Sequence, residues 1–135
     1  MASVSLRGIK KQYENNSVIK GIDLTIEDGE FVVFVGPSGC GKSTLLRIIA
    51  GLDKADSGSI SIEGVDATRL PPQKRNVGFV FQHYALFRHM TIFENIAYGL
   101  RCRGESKADI ARKVARVLDR VGLPGTAAVA RRAAR

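Results

Sequence analysis

One run of eight residues constrains the fold of this chain more than any other part of its sequence. The run is Gly36-Pro37-Ser38-Gly39-Cys40-Gly41-Lys42-Ser43, which fits the pattern G-x-x-x-x-G-K-[ST]. It follows residues 31–35, an unbroken β-branched and aromatic segment that predicts a strand buried on both faces. It precedes residues 42–50, which have helical spacing, with Gly51 as the stop. Strand, loop and helix in this order predict a phosphate-binding loop; an ordinary glycine-rich turn is the alternative.

The residue types of this loop suit phosphate binding. Glycines let successive backbone N–H groups point inward, and the helix N-terminus adds positive potential. We expect Lys42 to reach the β- and γ-phosphates, the Ser43 hydroxyl to ligate Mg²⁺, and Thr44 to add a phosphate contact. The predicted nucleotide-binding residues of the loop are therefore Gly36, Pro37, Ser38, Gly39, Cys40, Gly41, Lys42, Ser43 and Thr44.

The remaining pattern predicts an α/β chain. Apolar residues near positions 4–6 and 18–26 flank the polar turn 14–17 and predict an antiparallel hairpin. Further strands are expected at 58–63 and 77–81, and helices at 91–100 and 106–121. Residues 125–135 are almost entirely Ala, Val and Arg, without a periodic stripe, and we expect this tail to be poorly ordered.

Composition excludes several classes of protein. The chain of 135 residues is 44% hydrophobic and 25% charged, which is typical of one soluble domain and argues against wholesale disorder. No apolar run is long enough to cross a bilayer. Two cysteines, Cys40 and Cys102, are too few for a disulfide framework and favour a reduced cytosolic compartment.

The net charge of +8 is uneven along the chain. Residues 1–100 hold 11 basic and 10 acidic side chains, whereas residues 101–135 hold 10 and 3. A basic nucleic-acid-binding module is the alternative function that this charge suggests. Because the excess lies in the last quarter, we expect no nucleic-acid partner for the nearly neutral first hundred residues.

Neighbouring residues narrow the choice among phosphate-loop proteins. The loop, then Val-Gly-Phe-Val-Phe-Gln at 77–82, then Tyr-Ala-Leu-Phe-Arg-His-Met-Thr-Ile-Phe-Glu-Asn-Ile at 84–96, resemble the ATP-binding subunits of ABC transporters. The stretch 81–90 is similar to the sulfate/thiosulfate importer group. A small P-loop kinase or GTPase is a third hypothesis, but no base-specificity motif or lid sequence supports it. The resemblance implies the N-terminal portion of a P-loop NTPase fold, with an antiparallel β subdomain, an incomplete mixed core sheet and helices.

The resemblance also implies roles for particular residues. Tyr13 matches the aromatic residue that stacks on adenine, and Val18 matches the apolar wall of that pocket. Gln82 matches the glutamine that ligates Mg²⁺ or orients water, so the implied metal ligands are Ser43 and Gln82. The implied catalytic residues are Lys42 and Gln82, and the implied cofactors are ATP and Mg²⁺.

Partners and location follow from the same resemblance. The region from Tyr84 to Glu94 corresponds to the surface that receives the membrane permease, and its apolar members are Tyr84, Leu86, Phe87, Met90 and Phe93, although Phe93 and Ile96 are alternatively core. We therefore expect transmembrane permease subunits as partners, a homodimer as in full-length relatives, and a peripheral position on the cytoplasmic face of a bacterial membrane.

Motifs that complete ATP hydrolysis in this family are not recognisable in the sequence. They are a strand of four hydrophobic residues that ends in Asp-Glu, an LSGGQ signature and a later histidine. Residues 115–119 match the first motif only in part, and residues 57–59 match the second only in part. The expectation is a truncated chain with a partial nucleotide-binding domain at 1–123 and an aberrant tail at 124–135. Such a chain would bind ATP with little or no turnover.

Overall fold

A computed structural model describes residues 3–83 and 85–125, which divide into two compact units, 1–80 and 81–135. The first unit holds four strands, β1 (Val4–Tyr13), β2 (Asn16–Ile26), β3 (Ser57–Ile62) and β4 (Val65–Asp66), the helix α1 (Lys42–Ala50) and a single 3₁₀ turn (Pro72–Lys74). The second unit holds α2 (Ile92–Cys102) and α3 (Lys107–Arg120). None of the helices in the described part of the chain is long and apolar enough to cross a bilayer.

The four strands form one antiparallel sheet in the order β2-β1-β3-β4. β1 pairs along its length with β2, from Val4 opposite Ile26 to Tyr13 opposite Asn16, and confirms the predicted hairpin. The turn contains only Glu14 and Asn15, and Glu14 takes the positive φ of 50° that a tight hairpin turn requires. Tyr13 is therefore held at the very end of a paired strand.

The helix α1 packs on one face of this sheet. Its apolar residues recur at helical spacing, so Leu45 and Ile48 face the sheet and are buried with it. The core of the first unit consists of Leu6, Ile9, Ile19, Leu45, Ile48, Ile60, Ile62 and Ala67. This packing fixes the N-terminal end of α1, and thus the predicted phosphate loop, against the hairpin.

Two predicted strands do not form. Residues 31–35 and 77–81 belong to no strand, and the exposed fractions of Phe31 and Val35 are both 90%. A run of β-branched residues becomes a strand only when a neighbouring strand takes up its backbone hydrogen bonds, and no described segment pairs with either run. One residue of the first run still faces the core, since Phe34 packs against it. The prediction of a strand buried on both faces is therefore wrong.

The helices α2 and α3 pack on each other and confirm the two helices predicted in the second unit. Thr91 and Glu94 form a capping box that starts α2, and the Ser106 hydroxyl caps α3. The buried core consists of Ala97, Ile110, Val114 and Leu118. Val117 of α3 and Val121, which follows the helix, are exposed.

The predicted disorder of residues 125–135 falls almost wholly on positions 126–135, which lie outside the described residues.

Candidate nucleotide-binding site

The loop from Gly36 to Gly41 joins residues 31–35 to α1, and two of its glycines have left-handed backbone geometry. Gly39 has φ of 79°, and Gly41, which precedes the helix, has φ of 97°. A Cβ at Gly41 would lie 3.0 Å from the Val18 carbonyl oxygen and 3.1 Å from the Val18 Cγ1. A Cβ at Gly36 would lie 2.8 Å from the Cys40 Sγ. Glycine is favoured at Gly39 and Gly41 by their positive φ, and at Gly41 also by the lack of room for a Cβ, so the sequence suits the curled loop that was predicted.

The Lys42 side chain folds back across this loop. Its ammonium donates hydrogen bonds of 2.7 Å to the carbonyl oxygens of both Gly36 and Pro37, and lies 3.5 Å from the Cys40 Sγ. A positive charge is therefore held at the mouth of the loop, beside the start of α1. This is the position that the phosphate-binding interpretation requires.

The two ends of α1 differ in how their backbone groups are satisfied. At the N-terminus, no side chain caps the helix and no acidic residue occupies the first turn, so Ser43 and Thr44 lie where N–H groups and the helix dipole favour an anion. At the C-terminus, the Arg75 guanidinium donates to the carbonyl oxygens of Ile48 and Ile49, both at 2.9 Å. The N-terminal end of α1, with its partial positive charge, is therefore suited to an anion, whereas Arg75 neutralises the partial negative charge at the C-terminal end.

Arg75 was not predicted as part of this arrangement. It is almost fully buried, and it also donates to the Leu70 carbonyl oxygen at 2.8 Å. Burial lowers the pKa of its guanidinium below the ordinary value. A Cβ at Gly51 would lie 2.6 Å from the Arg75 Nε, so the glycine that ends α1 also makes room for the cation that caps it.

The hairpin brings two further predicted residues to the loop. Val18 contacts the Gly41 position directly, as the distances above show. Tyr13 is 43% exposed, and its phenol, whose pKa is raised chiefly by a hydrogen bond to Asp53, also interacts with the Thr44 side chain, which opposes that rise. The predicted adenine-stacking residue and pocket wall therefore lie beside the phosphate loop, within the same unit.

A polar cluster around Tyr13 was missed by the sequence reasoning. The Tyr13 hydroxyl donates to the Asp53 carboxylate, and the Lys11 ammonium lies 4.9 Å from the centre of the Tyr13 ring and 3.3 Å from Asp53 Oδ1. Lys11 also lies 3.6 Å from Asp56 Oδ1. These residues meet because the segment between α1 and β3 returns to the end of β1, a separation of 40 residues that no local pattern reveals.

The cluster shifts the pKa values of its members. The hydrogen bond to Asp53, followed by burial, raises the pKa of Tyr13. Burial acts to raise the pKa of Asp53, but the hydrogen bonds from Tyr13, the Lys54 N–H and Lys11 outweigh it and lower the pKa. Burial likewise opposes the charged form of Lys11, yet its pKa is raised because Asp53 and Asp56 are close. Near neutral pH, Lys11 is therefore a cation and Asp53 a carboxylate beside the neutral phenol of Tyr13.

Gln82 lies in the second unit, directly after residues 77–81, and is exposed. Of the predicted docking region, Tyr84 lies outside the described residues, while Leu86 and Phe87 are exposed. Phe93 packs against the core of α2 and α3, as does Ile96, so the core alternative is correct for both. Asn95 holds the region to α2: its amide donates to the carbonyl oxygens of Phe87, Met90 and Thr91.

The two cysteines are free and exposed thiols. Cys40 lies in the phosphate loop, whereas Cys102 is the last residue of α2. Among the residues that the structure describes, no three His, Cys, Asp or Glu side chains are grouped so as to hold a metal ion.

The loop, its helix and the antiparallel hairpin together define a nucleotide-binding domain of the P-loop type. Comparison with known proteins is more specific, since a sequence model described as ABC transporter matches residues 19–134. The chain belongs to the ABC transporter family.

The similar proteins agree with this assignment. The chain is 55% identical to the sulfate/thiosulfate import ATP-binding protein CysA of Methylococcus capsulatus over 90% of its length and 36% of that protein. It is 56% identical to the sn-glycerol-3-phosphate import ATP-binding protein UgpC of Cereibacter sphaeroides over 86% of its length and 33% of that protein. The chain thus spans about a third of the length of these relatives.

A solved structure has the same fold. The ATP-binding cassette MJ0796, a dimer in a post-hydrolysis state bound to ADP and Pi, matches with a TM-score of 0.81 and 31% identity. The match covers 92% of this chain and 60% of that one. The predicted fold class, an N-terminal portion of an ABC-type P-loop NTPase, is confirmed.

Proposed function

We propose that this chain binds ATP together with Mg²⁺ and forms the nucleotide-binding part of the ATP-binding subunit of an importer. One observation carries the proposal: the Lys42 ammonium, the left-handed Gly41 and the uncapped start of α1 lie together in a loop whose tight turns favour glycine. A triphosphate is the ligand whose charge and oxygen spacing suit such a site.

The residues fit the nucleotide and its metal. A Cβ at Gly36 or Gly41 would lie within 3.0 Å of Cys40 or Val18, so glycine at these positions lets the loop curl tightly on itself and against the hairpin. Mg²⁺ takes few protein ligands and several oxygens from phosphate and water, which agrees with a single hydroxyl from Ser43; the amide oxygen of Gln82 is proposed as a second ligand on the family resemblance alone. When bound, the ion neutralises charge that develops on the phosphates.

The chain's own residues bind and orient the nucleotide. Besides its bonds to Gly36 and Pro37, the Lys42 ammonium donates to the Cys40 Sγ at 3.5 Å, and a phosphate oxygen, as the stronger acceptor, would replace this weak sulfur contact. Tyr13 presents a half-exposed ring at the end of β1 for stacking on a base, and Val18 supports the loop from beneath. Lys42 and Gln82 are the residues proposed to act on the phosphates during hydrolysis.

Binding of a fluorescent ATP analogue tests the proposal, with Lys42→Ala compared with Lys20→Ala. Both variants lose one positive charge, but Lys20 is a residue of β2 and not of the loop. We expect Lys42→Ala to weaken binding by about tenfold or more, since a hydrogen bond from a charged donor is lost. Equal affinities for Lys42→Ala and the unmodified chain would refute the site.

The finer proposal concerns the importer. Relatives carry the names of sulfate/thiosulfate, sn-glycerol-3-phosphate and spermidine/putrescine importers at similar identity. We infer sulfate or thiosulfate as the solute, a second copy of the subunit as a partner, and permease subunits that dock on residues 84–94. The exposed Leu86 and Phe87 support the docking surface, because Asn95 fixes the backbone that carries them.

Chimeras test the solute and the permease. Residues 4–123 of this chain replace the aligned part of the Methylococcus sulfate/thiosulfate protein or of the Cereibacter sn-glycerol-3-phosphate protein, and uptake is measured in cells that lack the respective subunit. We expect uptake of radiolabelled sulfate in the first case and weaker uptake of sn-glycerol-3-phosphate in the second. The reverse order would refute the sulfate assignment.

The 135-residue chain by itself is proposed to turn over ATP slowly. Hydrolysis requires a group that positions water and a second holder of the metal, and the sequence offers no recognisable acidic pair for this work. Release of inorganic phosphate by the purified chain is the measurement, and rapid turnover abolished by Lys42→Ala would contradict the proposal.

A further inference from the structure

The side chain that is proposed to stack on the base is held from two directions by charged residues. Asp53 accepts a hydrogen bond from the Tyr13 hydroxyl, and Lys11 places its ammonium 4.9 Å from the centre of the Tyr13 ring while lying 3.3 Å from the same carboxylate. The side chains of Lys11 and Asp53 are only 12% and 21% exposed. The three residues form a closed triangle at the end of β1.

This triangle is itself fixed to the backbone. The Lys11 ammonium donates to the Lys54 carbonyl oxygen at 2.8 Å, and the Lys54 N–H donates to Asp53 Oδ1 at 2.8 Å. Asp56 accepts from the Gln12 N–H at 2.6 Å, so the segment after α1 is tied to the end of β1 on both sides of Lys11. Asp53 therefore acts on Tyr13 from a rigid support.

Without this support the ring would be poorly restrained. Tyr13 is the last residue of β1, next to a two-residue turn, and nearly half of it is exposed. A tyrosine side chain has two rotatable bonds, and its hydrogen bond to Asp53 restrains both. Lys11 covers one face of the ring, so the opposite face is the one left for a base.

We propose that Asp53, held by Lys11, is a positioning residue that fixes the Tyr13 ring for stacking on the base of the nucleotide. The inference rests on the proposed function, because it assumes that the loop at Lys42 takes the phosphates. Asp53 touches neither base nor phosphate in this scheme. Its contribution is confined to the part of the binding energy that comes from the base.

Separate measurement of base and phosphate binding tests this role. Affinities of the full 135-residue chain for ATP and for inorganic tripolyphosphate are measured by isothermal titration calorimetry with Mg²⁺. The variants are Asp53→Asn, Tyr13→Phe, their double variant, Tyr13→Ala and Lys42→Ala. Glu14→Gln is the matched control, since it removes an acidic charge next to Tyr13 from a side chain that makes no hydrogen bond or ion pair within the described residues.

The expected pattern separates positioning from general stability. Tyr13→Ala weakens ATP binding by about fivefold or more, which corresponds to one lost stacked base. Asp53→Asn and Tyr13→Phe each weaken ATP binding by about threefold, leave tripolyphosphate binding unchanged, and show no further loss when combined, because both remove the same contact. Glu14→Gln changes neither affinity. Urea unfolding of each variant shows that the chain remains folded.

Three results would overturn the inference. The first is an unchanged ratio of ATP to tripolyphosphate affinity in Asp53→Asn, and the second is an unchanged ratio in Tyr13→Ala; both leave phosphate binding at the loop intact. The third is tripolyphosphate binding that does not depend on Lys42, which removes the proposed function and the inference together. Equal losses of affinity for ATP and for tripolyphosphate in Asp53→Asn also leave the ratio unchanged, and they count as the first result because they indicate a structural role only.

A spectroscopic signal provides an independent test. In a Tyr84→Phe, Tyr98→Phe background, Tyr13 is the one remaining tyrosine of the three in the sequence, and tyrosinate absorbance follows its ionisation. Asp53 raises the pKa of this phenol, with Lys11 and Asp56 as the other charged groups nearby. We expect Asp53→Asn to lower the phenol pKa and Glu14→Gln to leave it near the unmodified value. An unchanged pKa in Asp53→Asn would overturn the contact itself.

Discussion

Replacing Gly41 by alanine perturbs the phosphate loop in a way that the structure allows to be quantified. Gly41 has φ of 97°, and an L-residue in the left-handed region is strained by about 1–2 kcal/mol. The added methyl group would also lie 3.0 Å from the Val18 carbonyl oxygen, 3.1 Å from Val18 Cγ1 and 3.3 Å from Ile19 Cγ1. Crowding of this kind costs about 1–3 kcal/mol more. We expect a total loss of about 3 kcal/mol.

Gly39→Ala is the matched control. Gly39 also has positive φ, at 79°, but a Cβ there would meet no atom within 4 Å, so only the backbone strain applies. We expect Gly39→Ala to cost about 1–2 kcal/mol. The difference between the two variants isolates the crowding against the hairpin.

Urea unfolding and thermal melting followed by circular dichroism measure both variants. A loss of about 3 kcal/mol corresponds to a fall in Tm of roughly 10 °C for a chain of this size. Val18→Ala in the Gly41→Ala background removes one of the crowded atoms and is expected to restore part of the stability relative to the sum of the single changes. If Gly41→Ala and Gly39→Ala unfold at the same urea concentration, the close packing of loop and hairpin is refuted.

Three further predictions concern residues that stabilise one unit or the other from within. Arg75→Met is expected to destabilise the first unit by about 3–5 kcal/mol, since carbonyl oxygens of Ile48, Ile49 and Leu70 lose a buried charged donor; a loss below about 1 kcal/mol in urea unfolding would contradict this. The backbone N–H and then the hydroxyl of Thr91 donate to Glu94 and hold the pKa of that carboxyl below its ordinary value. The stabilisation that comes from this lowered pKa is complete above about pH 4.3, the unfolded-state value, and is lost as the pH falls through the lower folded-state pKa. Glu94→Gln should therefore flatten the acid limb of the curve of stability against pH, and an unaltered limb would count against the capping box. Asn95→Ala is expected to speed proteolysis within residues 87–91 at least about threefold, because the Asn95 side-chain hydrogen bonds to three carbonyl oxygens are lost. Mass spectrometry of limited digests measures this, and unchanged cleavage there would contradict the prediction.

Local signals in the sequence predicted the elements that local interactions stabilise. The hairpin follows from alternating apolar residues around a polar turn, α1 from its periodic residues and Gly51, and α2 from the helical pattern of residues 91–100. The phosphate loop was predictable because its glycine pattern matches the positive φ angles of Gly39 and Gly41, although the contact of Gly41 with Val18 was not.

Contacts between residues far apart in the sequence could not be predicted in this way. The strand character of residues 31–35 is real in composition, but a strand depends on a partner that supplies hydrogen bonds. Asp53 meets Tyr13 only after α1 has been packed on the sheet, and the chain around Asp53 carries no motif that predicts the contact. Arg75 reaches the end of α1 from 26 or more residues away, and looks like an ordinary surface arginine in the sequence.

The two exposed thiols allow ligand binding at the phosphate loop to be measured against a reference within the same chain. Cys40 lies inside the loop where a triphosphate is proposed to sit, whereas Cys102 ends a helix of the other unit. An alkylating reagent added in limiting amount therefore labels one reporter and one reference within a single polypeptide. The ratio of the Cys40 adduct to the Cys102 adduct measures the fraction of the protein with ligand in the loop, independently of protein concentration and without any engineered tag.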